Sequence, residues 1–227
     1  MRPIVLLCFL CGGATGAFAQ ESIKVEARKQ APPASLAPDV LGALSAQSIR
    51  IQDGQGKDFA EIWLRQSTSC SENPSGPKGA VQFPFLADGE LLGVLQFAIE
   101  GHDYRDQTIA KGVYTMRYGL QPVNGDHLGV SPYRDYVLLL PAAKDKVLSP
   151  PARKQLEEQS AESAGTSHPA AFLLLLAPQG AKPEPVAIHD SGKNTWSVVL
   201  PVRFQVKGRS EPVVYPIQLV VVGVAPA

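Results

Sequence analysis

The chain has 227 residues, with 21 basic and 21 acidic side chains and no formal net charge. Neutralising phosphates needs a basic face, so this balance argues against nucleic acid as a partner. Twenty prolines and twenty glycines argue against a helical bundle and suit short strands joined by turns.

Met1-Arg2-Pro3 precedes an unbroken apolar run from Ile4 to Leu10, then small residues and Ala17-Phe18-Ala19 before Gln20. That is the pattern of a signal peptide, residues 1–19, cut after Ala19. The run is far short of the roughly 20 apolar residues that cross a bilayer, so no membrane span is expected. Cys11 opens a lipoprotein alternative, but Leu10 stands where such signals want a small residue. Cleavage removes Cys8 and Cys11 and leaves Cys70 alone, so the mature chain has no intramolecular disulfide. Nothing close in sequence would lower the Cys70 pKa, which speaks against a catalytic thiol. The expected location is periplasmic or secreted.

Residues 20–44 hold Pro32, Pro33 and Pro38 without a sustained period, and read as a leader that wraps the domain or stays mobile. Strands are predicted at 47–51 and 59–65, joined as a hairpin by Asp53-Gly54-Gln55-Gly56, with Ala60, Ile62 and Leu64 on one face. Residues 67–79 read as a surface loop, and 81–86 as an edge strand because of Pro84. After Asp88-Gly89, residues 91–99 are apolar on both faces, as in a covered central strand. In 112–122, Tyr114, Met116, Tyr118 and Leu120 alternate with Thr115, Arg117 and Gly119.

A buried strand follows at 135–141, and Ser149-Pro150-Pro151-Ala152 opens a helix running to about Ser163 with Leu156 as its one large apolar residue. Strands return at 171–176, 185–188, 195–206 and 213–224. The fold class is therefore all-β: an antiparallel β-sandwich, immunoglobulin-like or jelly-roll, of about ten strands with one short surface helix. One domain over residues 45–227 is favoured. Two smaller domains joined through 142–169 would each leave a strand that is apolar on both faces without cover.

Chemistry-bearing side chains concentrate in loops 101–106 and 124–135, namely His102, Asp103, Tyr104, Arg105, Asp126, His127, Tyr133 and Arg134. These loops flank the 112–122 strand at opposite ends, so a joint site needs a loop folded back along the sheet. His102, Asp103, Asp126 and His127 are of the types that hold divalent ions, but their spacing matches no metal motif. An Asp beside a His in a loop more often bonds backbone amides, and no cofactor is expected. Asp103 with Asp126 as a glycosidase pair needs a distance that sequence does not supply. Ser131 lacks the strand-to-helix elbow of a nucleophilic serine. Tyr104, Tyr133 and Tyr136 suit sugar or peptide contacts.

The reading is a non-enzymatic exported protein that binds a carbohydrate, peptide or protein partner through loops 101–106 and 124–135. The alternatives are a metal-dependent hydrolase on the His and Asp residues and a structural envelope protein. Asp103-Tyr104-Arg105-x-Gln107-x-Ile109, the run Gly112 to Pro122, and Gly125-Asp126-His127-x-Gly129-Val130-Ser131-Pro132-Tyr133-Arg134-Asp135 resemble a family of exported bacterial proteins without assigned function. Residues 59–65 share the resemblance, which implies no activity. The export reading predicts that intact-mass measurement of the exported protein finds Gln20 as its first residue; a chain starting at Cys11 would make it a lipoprotein instead.

Overall fold

A computed structural model describes residues 22–123, 131 and 133–225. The expected signal peptide lies outside them. The described elements are β1 (Ile23–Lys29), α1 (Pro38–Ala43), β2 (Gln47–Asp53), β3 (Asp58–Leu64), β4 (Thr68–Cys70), β5 (Leu91–Phe97), β6 (Gly101–His102), β7 (Thr108–Ile109), β8 (Gly112–Leu120), β9 (Asp135–Pro141), α2 (Arg153–Ala164), β10 (Ala171–Leu176), β11 (Val186–Asp190), β12 (Thr195–Val206) and β13 (Val213–Val222). Turns at Gly56 and Gly89 hold φ of +82° and +84°, a region open to glycine, and so fix where β2 ends and β5 begins.

The chain is mostly β, but its strands do not divide into two separate sheets. Eleven strands form one hydrogen-bonded sheet, in the order β1-β2-β3-β5-β8-β9-β10-β13-β12-β11, with β4 added in parallel to β12. Residues 171–173 of β10 pair with β9, and residues 174–176 pair with β13. This strand turns the corner between the two halves. The sheet curls until β1 and β11, the ends of the order, have Cα atoms within 8 Å of each other.

Where β10 leaves β9, the Gln82 side chain takes over its hydrogen bonds. Its Nε2 donates to the Leu174 carbonyl at 2.9 Å and its Oε1 accepts from the Leu176 amide at 2.9 Å. The segment read as an edge strand at 81–86 is instead an interior plug. Pro84 interrupts pairing, and the aromatic residues on either side of it fill the curl. Phe83 and Phe85 are fully buried and meet Tyr118 and Phe204 edge-on. Buried Asp135 clamps the plug by accepting from the amides of Gln82 (2.8 Å) and Phe83 (3.1 Å) and from the Tyr118 hydroxyl (2.6 Å).

The presumed leader is part of the sheet and its cover. Ile23–Lys29 pairs along β2, and Leu36, Val40 and Leu44 in and around α1 pack on Trp63, Leu91 and Val94. That outer cluster explains why β5 is apolar on both faces, since Leu92, Leu95 and Phe97 point into the main core.

The face of β8 opposite Tyr114, Met116 and Tyr118 is buried as well. Arg117 is fully buried there and its guanidinium meets Asp145 through Nε at 2.6 Å and Nη2 at 2.8 Å. Its remaining donors reach the carbonyls of Gly89 (2.8 Å), Ser149 (3.2 Å) and Val147 (2.5 Å). Thr115 donates to the same carboxylate at 2.5 Å. Helix α2 forms as expected, though Ala152 precedes it without a side-chain cap; Gly165 at φ +63° ends it. Its Leu156 is fully buried against Tyr104, Leu138 and Leu140.

Candidate functional site: a groove between α2 and the sheet

Alternation along β9 sends Val137 and Leu139 into the core and leaves Tyr136, Leu138 and Leu140 on the outer face. Gly119 on β8 lies beside Leu138, where an added Cβ would come within 2.7 Å of the leucine Cδ1. Glycine there gives the leucine its space. Helix α2 crosses this face and is tied at both ends. Arg153 donates to Asp88 (2.9 Å) and to the Leu120 carbonyl (2.7 Å), and the Ala170 amide donates to the Ser160 carbonyl (3.2 Å). Between helix and sheet lies a groove of about 630 Å³, within the range of small-molecule sites. Its floor is Gly119, Tyr136, Leu138 and Ala171, and its rim carries Arg105, Lys154, Glu157, Glu158 and His168.

The residues expected from sequence have mostly structural duties. Asp103 is fully buried and accepts four hydrogen bonds, from the amides of Arg105, Gln107 and Ala171 at 2.9 Å each and from Gln107 Nε2 at 2.8 Å. A carboxylate so occupied closes its own turn and has no lone pair aimed at a metal. Tyr104 is buried, its amide bonded to the Ala171 carbonyl (2.9 Å) and its carbonyl to the Ala225 amide (2.8 Å). His102 is half exposed with Nδ1 3.3 Å from Asp106. Arg134 Nε donates to the Gln121 carbonyl at 2.7 Å, and exposed Tyr133 donates its amide to the Ser131 hydroxyl at 3.2 Å. Asp126 and His127 lie outside the described residues. Among the described residues no group of three or more His, Cys, Asp or Glu is arranged to hold a metal.

The first loop folds back along the sheet, the arrangement a joint site needs, while residues 124–130 of the second lie outside the described residues. The bonds of Asp103 and Tyr104 to Ala171 fold the β6–β7 hairpin back over β10. Arg105 thereby enters the groove, and its charge acts on the phenol of Tyr136, the residue after Asp135 at the end of the second loop. Of the eight residues expected to bind, Arg105 lines the groove. Sequence reasoning missed Leu138, Gly119 and Lys154. The available signals were a glycine inside a regular strand and a 135–141 strand apolar on both faces.

Tyr136 is the electrostatic anomaly of the site. Burial pushes its phenol up to about 12, while the nearby Ser131 hydroxyl and the Arg105 charge pull the other way. Even so, no described group meets its hydroxyl at hydrogen-bond geometry. The phenol therefore stays a neutral donor at physiological pH. The chain matches no protein-family model, and no curated protein or solved structure matches it.

A folded-state phenol pKa above the unfolded value of about 10 favours folding fully below pH 10, and this is lost as pH rises toward 12. Denaturant midpoints measured across that window should fall with rising pH, less steeply in Tyr136→Phe. An identical alkaline slope in both proteins would contradict the assignment.

Proposed function

We propose that this is an exported, non-enzymatic binding protein whose site is the groove between α2 and the outer face of β8 to β10. The observation that carries the reading is a groove of about 630 Å³ with an apolar floor on paired strands, roofed by a helix tied down at both ends. A site held by such elements is preformed, so binding is not charged the entropy of ordering it. We read the scaffold as a sandwich-like closure of the curled sheet, its halves meeting across Phe83 and Phe85.

An apolar floor favours a small apolar or amphipathic molecule over a carbohydrate, whose hydroxyls require an array of polar partners. A metal-dependent hydrolase draws no support from Asp103, because its oxygens are consumed by backbone amides and Gln107. The export signal of the sequence and the resemblance to exported bacterial proteins support a periplasmic or secreted setting.

The test uses Nile red, a neutral apolar dye, with the mature protein. The dye should brighten on binding, and Ala161→Trp, which places a large side chain in the groove, should weaken its affinity by about tenfold or more while thermal stability stays near wild type. Dye binding that is unchanged in Ala161→Trp would remove the groove as the site.

A further inference from the structure

Two donors share one end of the groove, the buried phenol of Tyr136 and the solvent-exposed guanidinium of Arg105. Tyr136 is 6% exposed; the Ser131 hydroxyl lies near enough to act on its phenol, but among the described residues no group meets the hydroxyl at full hydrogen-bond geometry. A buried polar group left unpaired is rare and calls for an explanation. Arg105 is exposed to solvent, and its guanidinium has no hydrogen bond or ion pair among the described residues, so its charge is open to a ligand. The other cations of the rim are already matched: Arg153 bonds Asp88 and Glu157, and Lys154 faces Glu158 at 3.8 Å. The phenol and the unpaired guanidinium thus stand on the hairpin and β9 side, while each cation of the helix side is matched by a carboxylate.

We propose that the groove takes a monocarboxylate on an aliphatic chain, with the carboxylate accepting from Arg105 and Tyr136 and the chain lying over Leu138, Gly119 and Ala171. This rests on the reading of the groove as the binding site and adds the class of ligand. A planar guanidinium fork at the mouth and a buried phenol hydroxyl within suit a carboxylate, which accepts charge-assisted hydrogen bonds from both. With the helix-side charges paired off, one unpaired guanidinium supplies a single positive charge, which matches a monoanion rather than a phosphate monoester.

The floor selects the body of the ligand. Gly119 pairs with Tyr136, Arg117 with Leu138, and Leu138 with Ala171, so these strands are paired to each other across the floor. They offer no free strand edge to an extended peptide, which binds sheets through an exposed edge. An alkyl chain needs no such partners.

The experiment measures displacement of bound Nile red from the mature protein by decanoate, 1-decanol and N-acetyl-trileucine. Decanoate should displace the dye at about tenfold lower concentration than decanol. Arg105→Ala and Tyr136→Phe should each erase that preference, with decanol displacement showing that the groove persists. His102→Ala, outside the groove, should keep the preference. If decanoate and decanol compete equally with bound dye, the carboxylate proposal fails and the groove reading stands. If acetyl-trileucine competes better than decanoate, the ligand is a peptide and the proposal fails. If no dye binds at all, both readings fail.

Discussion

The pairing of Arg117 with Asp145 governs what can be built on the outside of the sheet. Both side chains are out of solvent, and desolvating two ions is repaid only when every donor and lone pair finds a partner. Here the guanidinium spends its donors on one carboxylate and three carbonyls, and that carboxylate also takes the Thr115 hydroxyl. The carbonyls belong to the turn before β5 and to the 145–149 stretch that leads into α2, so the pair fixes both to β8. Removing one partner of such a pair leaves a buried charge and costs about 3–5 kcal/mol. Arg153 then binds Asp88 in that same turn, so the start of the helix is positioned by a turn that Arg117 already holds.

The consequence for function is a rigid frame around a groove that holds the buried, unpaired hydroxyl of Tyr136. Asp103 commits its oxygens to bringing the β6–β7 hairpin against β10, and Gly119 yields space to Leu138. Neither residue serves a ligand directly, yet together they set Arg105 and Tyr136 at one end of an apolar groove. Natural structures seldom leave buried donors idle, and they do so most readily where a ligand completes the network. The floor is apolar and the cations of the helix side are paired with its glutamates, so Arg105 and Tyr136 are the groups left to orient a ligand.

Local features of the fold were legible in the sequence. The apolar runs of 135–141 and 171–176 and the period-two run of 195–206 place strands at the bounds observed, and α2 ends within a residue of the expected Ser163, because each depends on nearby residues alone. Long-range features were not legible. Nothing near Phe172 announces that β10 changes neighbour halfway, and the Gln82 side chain that makes the change tolerable lies some ninety positions away. Residues 23–29 are too polar to read as a strand, because they sit at an edge of the sheet order. The alternation of 112–122 does not announce that Arg117 is buried, because the 145–149 stretch that supplies its partners lies some thirty residues on. At the site, Asp103 and Arg105 were singled out for their chemistry, and tertiary contacts assigned the first to scaffolding and the second to the groove.

Hydrogen exchange in Asp145→Ala tests the dependence of the groove on this ion pair most directly. If Arg117 and Asp145 hold the outer layer, amides between residues 144 and 164 should exchange on the order of a hundredfold faster, well beyond any change in β9 and β12. Equal acceleration throughout the chain, or none in α2, would contradict the account.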